Sequence, residues 1–259
     1  MKRILTAVVA SAALTLTACG GGSSDSGSGS NDSATTQGAS VKVGDTISAK
    51  ELGGKTSAAA SKAVTANVKT TSGDAPVEGV VNFGDTPSFK MEVDEQGNKI
   101  EMIYVDKVLY LGGDSLASSL NGKKFAKIDP NGTDPMSQMM APMMQVLDLA
   151  AQPAQMLEAV DGLEAKVVAV DGDTVTYETA ITAEQAKQIA EKLLGGSDLP
   201  NNAANAEAMT VTQVVGKDDL LQSVKTVSGQ QTTEFAYSDW GSAPKISAPP
   251  ASEVGSLSM

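Results

Sequence analysis

Residues 89–110 read FKMEVDEQGNKIEMIYVDKVLY, and this stretch decides the fold. Apolar side chains recur in it at every second position, at Phe89, Met91 and Val93, then at Ile100, Met102 and Tyr104, and then at Val108 and Tyr110. A period of two is typical of a β-strand with one buried face. Polar turns at residues 96–98 and 106–107 separate the runs, so we expect antiparallel strands joined as hairpins.

The same alternation recurs on both sides of this stretch. Further strands are predicted at residues 63–68, 77–83, 125–128, 163–170, 174–181, 209–215, 220–227 and 232–237. Helical content occurs at residues 46–62, where Gly53-Gly54 is expected to break or bend the helix. It occurs again at residues 135–160, and after a Thr182/Gln185 capping box up to Leu194. We therefore predict an α+β protein with a single strongly curved antiparallel β-sheet of about 10–11 strands, its apolar face covered by the helices.

The N-terminal residues predict export and lipid attachment. Two basic residues precede an uncharged apolar run over residues 4–16, which has the composition of a secretory signal peptide. Residues 16–19, Leu-Thr-Ala-Cys, fit a lipobox, and Cys19 is the only cysteine of the chain. We expect cleavage before Cys19 and lipidation of its thiol, with acyl chains of the palmitate type holding the protein on the membrane. The alternative is an ordinary signal peptide with a chance cysteine.

Four parts of the chain follow from these patterns. We predict a signal peptide at residues 1–18, a lipidated N-terminus with a flexible Gly/Ser linker at 19–44, a folded domain at 45–250 and a C-terminal tail at 251–259. Residues 20–40 contain almost nothing apolar, and a coil of that length reaches roughly 25 Å. The linker therefore holds the domain just off the membrane.

Composition excludes several classes of function. The chain has a formal net charge of −12, which argues against nucleic acid and against electrostatic docking on anionic lipid. It has no histidine, which excludes Ser-His-Asp and Cys-His catalysis and most catalytic zinc sites. The single cysteine belongs to the anchor, so no disulfide is expected. We predict no enzyme activity, no cofactor and no metal.

A methionine cluster is the most unusual feature of the sequence. It recurs at helical spacing, at Met136, Met139, Met140, Met143 and Met144, and continues to Leu147. Methionine is unbranched and polarizable, and is common on surfaces that fit varied apolar partners. One interpretation is that this face lines an apolar cavity. The other is that it simply plugs the core, which is the commoner role of such a stripe.

Several short stretches also resemble one family, in the same order along the chain. They are the lipobox, residues 108–110 (VLY), 123–130 (KKFAKIDP), 217–221 (KDDLL), 237–241 (YSDWG) and 246–250 (ISAPP). Together they resemble the LppX/LprAFG family of actinobacterial lipoproteins over roughly residues 45–250. The methionine cluster departs from the family, in which leucine, isoleucine and aromatic residues are expected.

The resemblance implies a half-barrel similar to the LolA/LolB lipoprotein carriers, with helices over the concave side of the sheet and a large apolar cavity between. Family members bind acylated lipids or glycolipids of the cell envelope and are implicated in moving them outward. Trp240-Gly241 and Pro249-Pro250 carry over as structural residues only. The expected ligand-binding residues rest on periodicity and are the methionine cluster with Leu147, together with Met91, Met102 and Tyr104.

We accordingly expect a monomeric lipoprotein that is anchored to the extracytoplasmic face of the cell membrane. Its ligand is a membrane lipid or glycolipid, carried across the envelope, and a membrane transporter is a candidate partner. The alternative function is a binding or sensor lipoprotein whose cavity is collapsed and which acts through a protein partner. An exported hydrolase is disfavoured because no nucleophile motif is present.

Overall fold

The computed structural model describes residues 41–70, 76–95, 97–113, 116, 120–129, 132, 137–138, 140, 153–194 and 206–255. The strands are β1 (Thr46–Ser48), β2 (Thr65–Thr70), β3 (Val77–Asn82), β4 (Ser88–Glu95), β5 (Asn98–Val105), β6 (Val108–Gly113), β7 (Phe125–Ile128), β8 (Glu164–Asp171), β9 (Thr174–Ile181), β10 (Met209–Val215), β11 (Leu221–Ser228), β12 (Gln231–Ser238) and β13 (Val254–Gly255). The α-helices are α1 (Ala49–Ala63), α2 (Pro153–Ala159) and α3 (Ala183–Leu194).

The 13 strands of the described residues belong to one sheet, in the order β1-β8-β9-β10-β11-β12-β2-β3-β4-β5-β6-β7-β13. Neighbouring strands are antiparallel except for β7 and β13, which are parallel. The sheet is unclosed, because β1 and β13 form its two opposite edges. A sheet with this many strands is large and curved. The α+β class and a single, mostly antiparallel sheet are thus confirmed, but the described residues form 13 strands and not the predicted 10–11. The patterns missed only β1 and β13, which are too short to show a period.

The β5–β6 hairpin shows that the buried face of β6 was predicted wrongly. Its turn residues, Asp106 and Lys107, have positive φ angles of 52° and 62°, as in a type I′ turn. This two-residue turn places Tyr104 opposite Leu109. Val108 and Tyr110, which were expected beside Tyr104, therefore lie on the other face of the sheet, and Leu109 replaces them.

Helix α1 begins later than its composition suggests and runs without a break. Ser48 caps it, because its Oγ accepts a hydrogen bond of 3.0 Å from the N–H of Glu51. Gly53-Gly54 does not break the helix, which continues to Ala63. A Cβ at Gly53 would lie 2.7 Å from Leu157 Cδ2, so the glycine allows α2 to pack closely on α1.

The capping box predicted for α3 is confirmed. The N–H of Gln185 donates to Thr182 Oγ1 at 3.2 Å, and the N–H of Thr182 donates to Gln185 Oε1 at 2.9 Å. Among the residues that the structure describes, none of the helices has the length and apolarity needed to cross a bilayer.

One face of the sheet carries the core, and we call it the inner face. It presents Val68, Val81 and Leu109, which form one buried cluster with Leu52 of α1 and Ala186 of α3. Because these helices contribute to the same cluster, they pack on the inner face. The burial of these side chains, rather than helix propensity, fixes the helices there.

The outer face is solvated and carries cross-strand ion pairs. Lys69 lies 2.5 Å from Glu78, and Lys99 lies 2.6 Å from Glu92. Exposed pairs of this kind contribute little to stability. Their exposure identifies this face as the one in contact with solvent.

The C-terminal segment is fixed by the only tryptophan. The Trp240 ring stacks on Phe83 with centroids 5.2 Å apart, and on Tyr237 at 5.8 Å. Its Nε1–H donates a 2.9 Å hydrogen bond to the carbonyl oxygen of Leu221. Trp240 therefore joins β11 and β12 to Phe83, the residue that follows β3.

Candidate functional site

The inner face is closed at one row of directly opposed residues, which we call the tyrosine rung. It comprises Val81, Phe89, Tyr104, Leu109 and Ile128 on β3–β7. All five are buried, and Leu109 and Ile128 are fully buried. Tyr104 stacks on Phe89 with ring centroids 5.6 Å apart. Tyr104, which we predicted as a ligand-binding residue, thus lies in the solid part of the core.

The next row, the methionine rung, is half-buried except at Ala126, which is fully buried. It comprises Gly79, Met91, Met102, Leu111 and Ala126 on the same strands. Met91, Met102 and Leu111 pack against the core yet remain partly exposed. The structure therefore brings together the two predicted residues Met91 and Met102. Leu111 was missed, because the sequence pattern assigned the wrong face of β6 to the core.

Gly79 shapes the methionine rung from the side. A Cβ at this position would collide with the backbone of Lys90 and lie 2.8 Å from the Cα of Met91. The glycine lets β3 approach β4 closely and leaves the surface beside Met91 without a side chain.

Of the remaining predicted ligand-binding residues, the structure describes only Met140. Met140 packs half-buried against the core, as Leu116 does. The other predicted residues, Cys19, Met136, Met139, Met143, Met144 and Leu147, lie outside the described residues.

A third row, the central rung, links the two halves of the sheet. It runs through Ile100, Val93, Val77, Thr70, Phe235, Val224, Gln213 and Tyr177, from β5 across to β9. Val93 and Ile100 are half-buried, so the partly open apolar surface extends from the methionine rung into this row. Towards β9 the row becomes polar, with a glutamine and a tyrosine.

Tyr177 is the one inner-face group of this row whose protonation is perturbed. Burial raises the pKa of its phenol, whereas the positive charge of Lys55 acts in the opposite direction. Lys55 is itself paired with Glu51 at 2.9 Å. Tyr177 is therefore a neutral hydrogen-bonding group at physiological pH, close to the charged residues Lys55, Glu51 and Asp219. Alternation in residues 209–215 could have revealed Gln213, because it shares a face with Val211 and Val215.

The described residues hold no group of three or more histidine, cysteine, aspartate or glutamate side chains placed to bind a metal ion. What the inner face offers instead is contact with apolar groups, with neutral hydrogen-bonding groups beside them. No charged residue occupies the methionine rung, so this row offers contact to apolar groups.

No family model and no curated protein matches the sequence. Among solved structures, the chain is similar to LprF from Mycobacterium bovis, with a TM-score of 0.47 and 14% identity over 77% of this chain and 96% of that one. It is also similar to lipoprotein LppX from Mycobacterium tuberculosis, with a TM-score of 0.45 and 13% identity over 76% and 97% of the two chains. Two members of the LppX/LprAFG family, which the sequence resembles, are thus among the solved structures to which this chain is similar.

Proposed function

We propose that this protein is a membrane-anchored lipoprotein that binds acylated lipids or glycolipids in an apolar cavity and carries them across the cell envelope. The observation that carries the proposal is the methionine rung. Met91, Met102 and Leu111 stay half-buried on the face of the sheet that carries the core, directly beside a closed row.

The physical argument rests on what could cover this surface. Each acyl methylene buried on it would contribute about 0.8 kcal/mol to binding. Methionine side chains adapt to chains of different shape, since they have several rotatable bonds and no branch. No charged residue occupies the methionine rung, which makes an acyl chain a better ligand for it than an ionic group.

In this proposal the helices cover the concave side of the sheet, and the cavity lies between them and the methionine rung. The packing of α1 and α3 on the inner face supports that arrangement. Met140 and Leu116 would extend the cavity wall, and the rest of the methionine cluster would continue it.

The proposal also includes the anchor and its place in the cell. Residues 1–18 direct export, Cys19 is lipidated, and residues 19–44 tether the domain of residues 45–250 to the extracytoplasmic face of the membrane. The protein acts as a monomer, and a membrane transporter is the partner that would supply or receive the lipid.

Lipid transfer between vesicles tests the carrier function. The full-length protein is added to donor vesicles that contain a fluorescent diacyl lipid and a quencher, and unlabelled acceptor vesicles are present. We expect the protein to accelerate dequenching and Met102→Trp, which fills the cavity, to slow it again. Transfer at the rate of protein-free vesicles would contradict the proposal.

The second candidate is a binding or sensor module with a collapsed cavity. The solid packing of the tyrosine rung, with Tyr104 stacked on Phe89, favours it. It predicts no lipid transfer, and it predicts that Met102→Trp destabilises the fold by overpacking, by ~1–3 kcal/mol.

A further inference from the structure

Exposed apolar side chains gather at the edge of the sheet where the chain enters the domain. Six large apolar residues of the described part are exposed, and four of them lie on two segments that are hydrogen-bonded to each other. We call these four residues, Val41, Val43, Val168 and Val170, the valine patch. Val43 is the most exposed of the six, with 65% of its surface accessible. Because exposed apolar residues are normally scattered singly, such a cluster indicates a contact surface.

A tight turn presents Val43 beside the edge of β8. The N–H of Asp45 donates to the carbonyl oxygen of Lys42 at 3.0 Å, and Gly44 has the positive φ, 99°, that the third residue of a type II turn requires. The N–H of Gly44 then donates to the carbonyl oxygen of Val167 at 2.9 Å, and the N–H of Val167 donates to Asp45 at 2.8 Å. Val43 is therefore held at the tip of a turn that is bonded to β8.

Strand β8 continues past the part that β1 covers. β1 pairs only with residues 164–166 and is the last strand on this side, so no described strand lies beside residues 168–171. The register between β8 and β9 shifts between Val167 and Ala169, which makes Val168 a bulge. A bulge twists an edge and discourages pairing with another strand. The valine patch therefore suits a partner that is a surface and not a further β-strand.

The place of the patch in the chain identifies that surface. Val41 directly follows the predicted linker, and Cys19, the predicted site of the lipid anchor, comes before the linker. A coil of residues 20–40 reaches roughly 25 Å, so the edge at which the linker enters is the part of the domain held nearest to the bilayer. Because a short tether gives a high effective concentration, even a weak apolar contact with the bilayer is then occupied.

The charges beside the patch suit the headgroups of a zwitterionic lipid. Lys42 lies between the two valines of the turn and Lys166 lies one residue before Val167, whereas Asp171 and Asp173 follow at the β8–β9 turn, and all four charged residues are exposed. Lysine can reach headgroup phosphates while its methylenes stay on an apolar surface. The backbone groups of β8 that face away from β9 need water, which keeps this edge at the headgroup level and out of the hydrocarbon.

We propose that the valine patch is a docking surface for a zwitterionic lipid bilayer, on which the domain rests by its β1–β8 edge. The valines contact the boundary between headgroups and acyl chains, and the two lysines contact headgroup phosphates. This inference rests on the lipid anchor of the proposed function, because the anchor brings the edge to the membrane. It gives the domain a fixed orientation on the bilayer, which a linker alone does not provide.

Fluorescence quenching by lipid tests the docking. Full-length Val43→Trp protein is reconstituted into phosphatidylcholine vesicles with or without brominated acyl chains, which quench a nearby indole. Val227→Trp, at an exposed valine on the outer face of β11, is the matched control, and the wild type gives the contribution of Trp240. We expect the brominated lipid to lower the added emission of Val43→Trp at least about twofold and that of Val227→Trp much less, since only the first indole lies at the interface.

A second substitution separates docking from the affinity of the indole itself for the interface. Val168→Asp, added to Val43→Trp, keeps the indole but puts a charge into the patch, and it should reduce the quenching by roughly half or more. Each changed residue is exposed, so all variants should melt like the wild type.

The outcomes are distinct for the docking surface and for the anchor. Equal quenching at positions 43 and 227, or quenching that Val168→Asp does not change, would overturn the docking and leave the anchor standing. Cross-linking between copies through this edge, without quenching, would overturn the docking in the same way. Wild-type protein that does not float with the vesicles would overturn the anchor of the proposed function together with the docking.

Discussion

Met91 and Met102 lie directly opposite each other on β4 and β5, and both are half-buried. The next pair along the same strands, Phe89 and Tyr104, is buried and stacked. The hairpin thus passes from a solid core to a partly open surface within two residues of each strand. In the same row Ala126 on β7 is fully buried, so the partly open surface is confined to the neighbourhood of β4, β5 and β6.

Shortening a methionine side chain of the methionine rung should reduce the free energy of unfolding only slightly. If Met102 borders a cavity, Met102→Ala mainly enlarges existing space, and we expect a loss of less than ~2 kcal/mol in the lipid-free protein. Leu109→Ala, in the adjacent closed row, is the matched control and should cost ~2–5 kcal/mol because it leaves a new void. Urea unfolding of the full-length variants measures both. A loss for Met102→Ala as large as that for Leu109→Ala would mean that the rung is solid core.

Gly79→Ala should destabilise the sheet even though alanine is small. Its Cβ would collide with the backbone of Lys90, which cannot rotate away as a side chain can. We expect a loss of ~1–3 kcal/mol, as for other overpacking substitutions, measured by thermal unfolding. Gly54→Ala is the control, since a Cβ there meets nothing within 4 Å. Equal melting temperatures for the two variants would contradict the close approach of β3 and β4.

Cys19→Ser should abolish acylation and leave an uncleaved or a secreted protein. Without a thiol, no acyl chain can be attached, and the anchor is lost while the folded domain is unaffected. Cell fractionation with labelled palmitate measures both retention and acylation. Cys19→Ser protein that stays in the membrane fraction like the wild type would rule out the lipid anchor.

Stability should fall at high pH partly because of Tyr177. Burial raises the pKa of its phenol in the folded state above the unfolded value near 10. Its contribution is therefore complete below about pH 10 and is lost as the pH rises through the folded pKa. Tyr177→Phe should reduce this alkaline loss relative to the wild type, and Tyr110→Phe on the outer face serves as the comparison. Identical alkaline unfolding curves for wild type and Tyr177→Phe would show that Tyr177 ionises freely.

Local sequence patterns were sufficient to predict most strands of the sheet. Alternation with a period of two identified β4 and β5, and the Thr182/Gln185 pair identified the start of α3, because these signals depend on residues close in the chain. The inner positions of β6 required the turn geometry at Asp106-Lys107, which the residue types alone do not specify.

Contacts between distant segments could not be predicted. Gly53 was expected to break or bend α1, but it allows the close approach of Leu157, which lies far along the chain. The alignment of Thr226 with Thr233 and Thr179 depends on the register of four strands, and single-strand periodicity cannot give it. The methionine rung could be recognised in part, since Met91 and Met102 share a pattern with the core.

Mass spectrometry of lipids that copurify with the protein tests the lipid-binding proposal most directly. The full-length protein and its Met102→Trp variant are purified in the same detergent, and their organic extracts are compared, so that lipid carried over with the anchor cancels. We predict an acylated lipid in near-stoichiometric amount with the wild type and much less of it with Met102→Trp. Equal lipid content in the two extracts, or none in either, would contradict the proposal.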